Sequence, residues 1–498
     1  MTMLIGNRNS FAIGIEPLAP SWERRYPAEF TAWAQLSLWI NGENICRNLL
    51  DGSDSVRDGV NVPLAPIADW LVRSWTFLEF EERPSRFPQL PSLRDTVDRW
   101  GDAPAPAGVS EDDWLDAREH WWSRHFLAAG ADGAHLPNLS LVRGDDRLFI
   151  EWAPAEFAGS PSPRFLSAED RQIVGWAEGE DILAQFVSYV ARWLRDSDLG
   201  HVFPWACQQD PLHEATPNFS ETLQAYTGIP AEALLGRTGS DSDAELRENL
   251  GLQVDAKDPG GSVVTQVLRD LPPGISDAIW DQVWRLEGET RSVTGFTEEL
   301  RNLAFDAVRP ASDPETSGYL AAQGLRDRLS LNGQPIDDVE VQLREFGVSL
   351  IESDVECSQE RMLAGSRRGC GAAVVINRTP RTSTPWGKRF EAVRALGHLL
   401  MDPYRQDTLG AASTAFAQPW ARRRAGTFAA EFLLPSEALR EDAYALDSYA
   451  EPARFLRLLE RYGVGAQTAA YHLWNRGFLS SPQIRDDLID RFSNVQRQ

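Results

Sequence analysis

Two stretches near the end of the sequence decide how it is interpreted: KRFEAVRALGHLL at residues 388–400 and WARRRAGTFAAEFLLP at residues 420–435. In both, apolar residues recur three or four positions apart, the spacing that places them on one face of an α-helix. We therefore predict helices over 388–400 and 420–433. Pro435 ends the second helix, since proline cannot continue the backbone hydrogen bonding.

The segments around these two helices predict a mainly helical domain with a small sheet, spanning residues 313–498. The short apolar run GAAVVIN at residues 371–377 predicts a strand, which a polar loop connects to the first helix. Further along, the Gly463-Val464-Gly465 junction separates two amphipathic stretches and indicates a helix–turn–helix-like pair. The other helices predicted in this domain cover residues 318–331, 335–347, 452–462 and 466–475.

The rest of the chain predicts further domains, because 498 residues are too many for one core and suggest about three domains. Residues 1–205 mix strand and helix patterns, including an alternating strand that ends at Asn41-Gly42 and a hairpin over 139–152. Residues 206–312 show only short helical patterns. The sequence therefore predicts a multidomain α+β protein, with an N-terminal α+β domain of unknown type and a helical middle region.

Composition excludes several classes of protein. The 42% apolar and 24% charged fractions are ordinary for a globular chain, which excludes collagen-like and fully disordered proteins. No run of apolar residues is long enough to span a bilayer. The four cysteines are scattered and form no CxxC pair, which favours a reducing compartment. We therefore expect a cytoplasmic protein without a membrane partner.

The charge of the chain is distributed unevenly. The net charge is −24, which argues against nucleic acid as a general partner. Residues 361–430, however, contain twelve basic and three acidic residues, a net charge of +9, so the remainder of the chain carries −33. This contrast points to residues 361–430 as a candidate anion-binding segment.

The order of the elements and several residues resemble the ImmA/IrrE family of zinc metallopeptidases over about residues 316–480. The matching residues are Arg389-Phe390, Leu396-Gly397-His398-Leu399-Leu400, Phe428-Ala429-Ala430 and Leu433-Leu434-Pro435. The resemblance implies a zincin-like fold. It also implies a site in which two histidines four positions apart bind zinc, and a glutamate beside the first activates the metal-bound water. A glutamate on the following helix supplies the third protein ligand.

The residues at those positions depart from the pattern. Arg394 stands where the resemblance places the first histidine, and Ala395 stands where it places the general base. Only His398 remains, and the third ligand position falls at Arg422. One imidazole cannot hold catalytic zinc, and a guanidinium has no lone pair to offer a metal. We therefore predict a pseudopeptidase with no catalytic residue, no metal and no cofactor.

Two alternatives remain open at this stage. Arginines in place of acidic ligands convert a cation site into an anion site, so the former active-site cleft is a candidate for binding an acidic ligand or nucleic acid. A residual zinc metallopeptidase with an unorthodox site is the other alternative, in which Cys357, Cys370 and His398 come together and Glu431 lies nearby in sequence. The candidate anion-binding residues are Arg389, Arg394, Arg422, Arg423 and Arg424.

The resemblance also implies a setting. Its members act on repressor-like regulators in stress-response or mobile-element contexts. By analogy, we expect a non-catalytic regulatory, sensor or interaction protein with a protein partner, in a stress-response or anti-phage defence context.

Overall fold

The structure is a computed structural model of the chain, and the chain divides into two compact units, Met1–Ala231 and Glu232–Gln498. The α+β class predicted from the sequence is confirmed in both. The residues that the structure describes are 3–18, 32–50, 55–82, 110–131, 134–144, 146–155, 163–213, 219–252, 258–272, 275–296, 298–308, 313–356, 360–414, 416–442 and 446–493.

The first unit combines three small sheets with four helices among its described residues. Strands β1 and β2 continue to β3, which pairs with β2 along one edge. The other edge of β3 pairs with β7 at residues 33–36 and with β4 at residues 39–40. The other two sheets have the orders β10-β5-β6 and β11-β9-β8. The strands are β1 Met3–Gly6, β2 Phe11–Pro17, β3 Trp33–Ile40, β4 Glu43–Asn44, β5 Asn48–Leu50, β6 Val56–Arg57, β7 Val60–Pro63, β8 Asn138–Gly144, β9 Arg147–Ala153, β10 Pro163–Phe165 and β11 Asp170–Gly175. The helices are α1 Leu64–Phe80, α2 Glu111–His125, α3 Trp176–Asp196 and α4 Phe219–Thr227.

The strand and hairpin predicted for this unit are confirmed. Along β3, Ala34, Leu36 and Leu38 are buried, while the residues between them are partly exposed. Asn41 and Gly42 both have positive φ, as the tight turn at the end of the strand requires. Strands β8 and β9 form the hairpin predicted over 139–152.

The second unit consists of thirteen described helices and one sheet. The helices are α5 Ala231–Thr238, α6 Asp243–Asn249, α7 Val263–Arg269, α8 Asp277–Ser292, α9 Glu298–Val308, α10 Pro314–Arg328, α11 Val339–Glu345, α12 Pro385–Met401, α13 Pro419–Leu433, α14 Ser436–Asp442, α15 Pro452–Tyr462, α16 Ala466–Asn475 and α17 Pro482–Ser493. The strands are β12 Val348–Glu356, β13 Met362–Arg367, β14 Ala372–Arg378 and β15 Thr408–Ala412.

The sheet has the order β12-β14-β13-β15, with β12 parallel to β14 and the other two pairs antiparallel. Helix α12 packs against β13 and β14, and it also packs against α13. Leu396, Leu399, Phe428 and Phe432 are at most 1% exposed in the core between these elements. This core holds α12 and α13, the two helices with the strongest sequence pattern, side by side.

The described helices of residues 206–312 do not form a unit of their own. Helix α4 packs on α1 in the first unit, whereas α7, α8 and α9 pack against the sheet and helices of the second. The predicted three-part division at residues 205 and 312 therefore differs from the two units observed. The reason is that α7 is buried along its whole length and packs on β15, β13 and α8 of the second unit.

A glycine permits the close approach of α10 to α13. A methyl group at Gly318 would lie 2.9 Å from the backbone nitrogen of Phe428 and closer still to the carbonyl oxygen of Arg424. We expect Gly318→Ala to lower the free energy of unfolding by about 1–3 kcal/mol, because the backbones must separate. Gly288→Ala is the matched control, since its methyl group meets nothing within 4 Å and alanine favours a helix by up to about 1 kcal/mol. Urea denaturation measures both, and equal effects would contradict the packing argument.

No helix in the described part of the chain is long and apolar enough to cross a membrane.

Candidate functional site

Helix α12 carries the residues on which the sequence argument rests. It begins at a Thr384-Pro385 pair: the Thr384 side chain accepts a hydrogen bond from the Gly387 N–H, and proline suits the first helical turn. From Glu391 to Met401 every residue is buried. Helix α12 is therefore enclosed by the domain, and its polar side chains must find partners inside it.

A cavity of about 1090 Å³ lies beside α12 in the second unit. One wall is basic, with arginines contributed by α12, α13, the start of β13 and the loop after β14. A second wall comes from α16 and presents Tyr471, His472 and Trp474, and the acidic Glu315 also lines the cavity, 4.0 Å from Arg423. The arginines of the basic wall are Arg361, Arg381, Arg394, Arg422 and Arg423.

Three of these arginines share one carboxylate. Glu391 is fully buried, and its oxygens lie 3.5 Å from Arg361 Nη1, 3.8 Å from Arg381 Nε and 3.5 Å from Arg394 Nη1. Neither carboxylate oxygen makes a hydrogen bond to another described residue. Three positive charges thus face one negative charge at distances beyond hydrogen bonding.

Burial, together with neighbouring like charges, disfavours the charged form of these arginines. Burial lowers the pKa of Arg394 to about 10; Glu391 opposes this, but Arg361, Arg381 and Arg422 add to it. Burial also lowers the pKa of Arg381 and of Arg422. Because each shift disfavours the charged form, an anion that entered the cavity would relieve an existing electrostatic cost.

His398 does not line this cavity. It is 1% exposed, and its Nδ1 lies 2.7 Å from Asp402 Oδ2. Arg424 donates a hydrogen bond of 2.6 Å to the other oxygen of Asp402. Burial would raise the pKa of Asp402, but His398 and Arg424 together hold it far below its usual range. The remaining histidine of the pattern is therefore part of a buried His398–Asp402–Arg424 cluster.

The residues present do not fit the zinc ion that the sequence resemblance implies. Arg394 offers donors and no lone pair, and Ala395 is a buried methyl group. In the described ranges, no group of three His, Cys, Asp or Glu side chains is placed to hold a metal. The site therefore supports no step that uses metal-bound water.

Of the residues considered for an unorthodox zinc site, His398 and Glu431 have other partners. Glu431 accepts hydrogen bonds from the Ser436 backbone and side chain and lies 3.3 Å from His472 Nε2. Burial would raise the pKa of Glu431, but these partners lower it to about 2. Cys370 is only partly buried, and Cys357 lies outside the described residues.

The structure brings together three of the five arginines predicted to bind an anion. Arg394, Arg422 and Arg423 line the cavity. Arg424 instead pairs with Asp402 in the core, and Arg389 donates hydrogen bonds to the backbone carbonyls of Ile336 and Asp337. Arg389 and Arg424 therefore do not line this cavity with the other three.

Two members of the basic wall were absent from the predicted site. Arg361 lies before β13 and Arg381 lies in the loop after β14, and neither belongs to the two conspicuous helices. The signal that included them was the +9 charge of residues 361–430, which points to a segment and not to individual side chains.

Comparison with known proteins agrees with the sequence pattern. Residues 343–473 match the family model of the IrrE N-terminal-like domain. No curated protein matches the chain. A solved structure, the crystal structure of CdiI from Burkholderia dolosa, matches with 15% identity over 38% of this chain and 99% of that one. Its TM-score is 0.23, too low to establish a shared fold.

Proposed function

We propose that the IrrE N-terminal-like domain in the last third of this chain is non-catalytic and acts as a regulatory binding module. The observation that carries the proposal is the occupancy of the metal-site positions: Arg394 and Arg422 face the cavity, Ala395 is in the core, and His398 is paired with Asp402. Because these positions hold arginine and alanine, the domain lacks the groups that activate water. The domain keeps its core, so it retains the capacity to recognise a partner.

The chemistry supports this proposal directly. Peptide hydrolysis by a zincin needs a cation to polarise the carbonyl and a base to deprotonate water. A guanidinium at position 394 repels a cation, and a methyl group at position 395 cannot accept a proton. A regulatory role with a protein partner, in stress response or anti-phage defence, follows from the family resemblance. Co-purification of a stable partner with the full chain tests that part of the proposal.

Metal content tests the loss of zinc chemistry. We expect mass spectrometry of the purified full chain to find far less than one zinc per chain, and His398→Ala to leave that value unchanged, because His398 is bonded to Asp402. Chelators should not alter the melting temperature. One zinc per chain, lost in His398→Ala, would overturn the proposal and favour the residual metallopeptidase.

A second function is favoured by the basic wall of the cavity. Arg361, Arg381 and Arg394 share the single carboxylate of Glu391, so this cavity is suited to an acidic ligand or to nucleic acid. Ligand binding is compatible with the regulatory role, since a ligand bound in the cavity can change the affinity of the domain for its partner.

A further inference from the structure

The two walls of the cavity favour one class of acidic ligand. We propose that the cavity binds a small nucleotide, with its phosphate on the arginines and its base beside Tyr471 and Trp474. This inference rests on the anion-binding role proposed above and specifies its ligand.

The arginine wall has donors available for a phosphate. Each guanidinium carries five N–H donors in a planar fork, and this fork matches two phosphate oxygens at once. Around Glu391 the nitrogen–oxygen distances are 3.5–3.8 Å, and Arg394 Nε makes no hydrogen bond to a described residue. A phosphate dianion would supply both the missing negative charge and the missing acceptors.

The burial of the charged arginines favours a small ligand over a polymer. Arg394 is 5% exposed, and Arg361 and Arg381 are also partly buried. The evenly spaced phosphates of a duplex cannot reach a buried guanidinium. A long polyanion would also pass near the rest of a chain whose net charge is −24, whereas a small anion responds mainly to charges within the Debye length of about 8 Å.

The second wall is suited to a planar base. Tyr471 and Trp474 are 40% and 37% exposed, and the Arg485 guanidinium lies 4.5 Å from the centre of each ring. Arg485 thus holds the two aromatic rings in place. Any of the nucleic-acid bases can stack on such rings. Gln467 and Asn475 line the same wall and provide amide groups for the edge of a base.

The volume is consistent with this ligand. About 1090 Å³ lies just above the usual range for small-molecule sites, which ends at about 1,000 Å³, so a nucleotide has room to enter. Inorganic phosphate alone would occupy only the basic wall and leave the aromatic rings in water. The proposal therefore requires that both parts of the ligand contribute to binding.

The test is calorimetric titration of the full chain with adenosine 5′-monophosphate, adenosine and inorganic phosphate. We expect the monophosphate to bind at least about tenfold more tightly than phosphate, since base stacking adds to the phosphate contacts. Adenosine should bind more weakly still. Arg381→Gln and Trp474→Ala should each weaken binding of the monophosphate about tenfold.

A matched control and a second variant keep the test decisive. Arg378→Gln removes the same charge from a side chain that is 60% exposed and does not line this cavity, so it should leave binding unchanged. If Arg381→Gln fails to fold, Arg423→Gln replaces it, because its side chain is 49% exposed.

Three results would overturn the inference in distinguishable ways. Equal affinity for phosphate and the monophosphate, or no effect of Trp474→Ala, would eliminate the nucleotide and leave the anion site. A single-stranded oligonucleotide that displaces the monophosphate, with steep salt dependence, would replace the small ligand by a polymer. No binding of either anion to the folded chain would eliminate the anion site as well, while the zinc measurement decides the non-catalytic role separately.

Discussion

Asp402→Ala is expected to lower the free energy of unfolding by about 3–5 kcal/mol, because it removes the only acid of a buried three-residue cluster. Asp402 is within 2.7 Å of His398 and 2.6 Å of Arg424, and both of those side chains are buried. Without the carboxylate, a guanidinium and an imidazole remain in the core with unsatisfied donors. Guanidinium chloride denaturation of the full chain measures the loss.

Asp407→Asn is the control for this prediction, because asparagine tolerates the positive φ of 67° at this position. Asp407 also pairs with an arginine, Arg368, at 3.0 Å, but its side chain is 65% exposed. Exposed ion pairs contribute about 0–1 kcal/mol, so this variant should be nearly as stable as the wild type. Equal losses in the two variants would show that the His398–Asp402–Arg424 cluster has no special role in the core.

The same carboxylate makes stability depend on pH. The pKa of Asp402 is lowered in the folded chain, so its contribution is fully present above the ordinary aspartate value of about 4. It is lost as the pH falls from that value through the lowered pKa. Between about pH 4 and pH 2, the free energy of unfolding of the wild type should therefore fall more than that of Asp402→Ala. The difference in stability between the two proteins should become smaller as the pH falls.

The helices of the second unit follow from the sequence because local signals agree with tertiary packing. The apolar spacing of α12 and α13 and the Gly463-Val464-Gly465 junction predicted elements that the structure confirms. Helix α12 begins earlier than predicted, at Pro385, within the stretch predicted as a polar loop. Strands β12, β13 and β15 were not predicted. The sequences of β13 and β15, MLAGSR and TLGAA, contain small residues with weak strand preference. The glycines serve packing: a methyl at Gly365 or Gly410 would lie 2.6 Å from Val263 of α7.

The candidate site was only partly predictable, because a run of arginines does not reveal which way each one points. Arg422 and Arg424 are two positions apart, so they project about 200° apart around α13, one to the cavity and one to Asp402. Arg389 and Arg394 are separated on α12 for the same reason. Arg361 and Arg381 reach Glu391 only through the folding of separate segments, which local spacing does not encode.

Glu391→Gln is expected to lower the free energy of unfolding by about 3–5 kcal/mol, since it leaves three arginines without their shared counter-charge. The amide has nearly the same shape as the carboxylate, so the change is mainly electrostatic. Arg394 is the most affected, because it is buried and its pKa is already lowered to about 10 by that burial. Thermal and chemical denaturation of the full chain measure the effect.

A second measurement on this variant distinguishes electrostatics from packing. Added inorganic phosphate should raise the melting temperature of Glu391→Gln more than that of the wild type, because the anion replaces the missing charge and stabilises only the folded state. Glu340→Gln is the control: Glu340 lies 3.4 Å from Lys388 but is half exposed, and its loss should cost less than about 1 kcal/mol. Chloride at equal ionic strength should not reproduce the phosphate effect. If phosphate stabilises the Glu391→Gln variant no more than the wild type, the arginines around position 391 do not require a counter-anion.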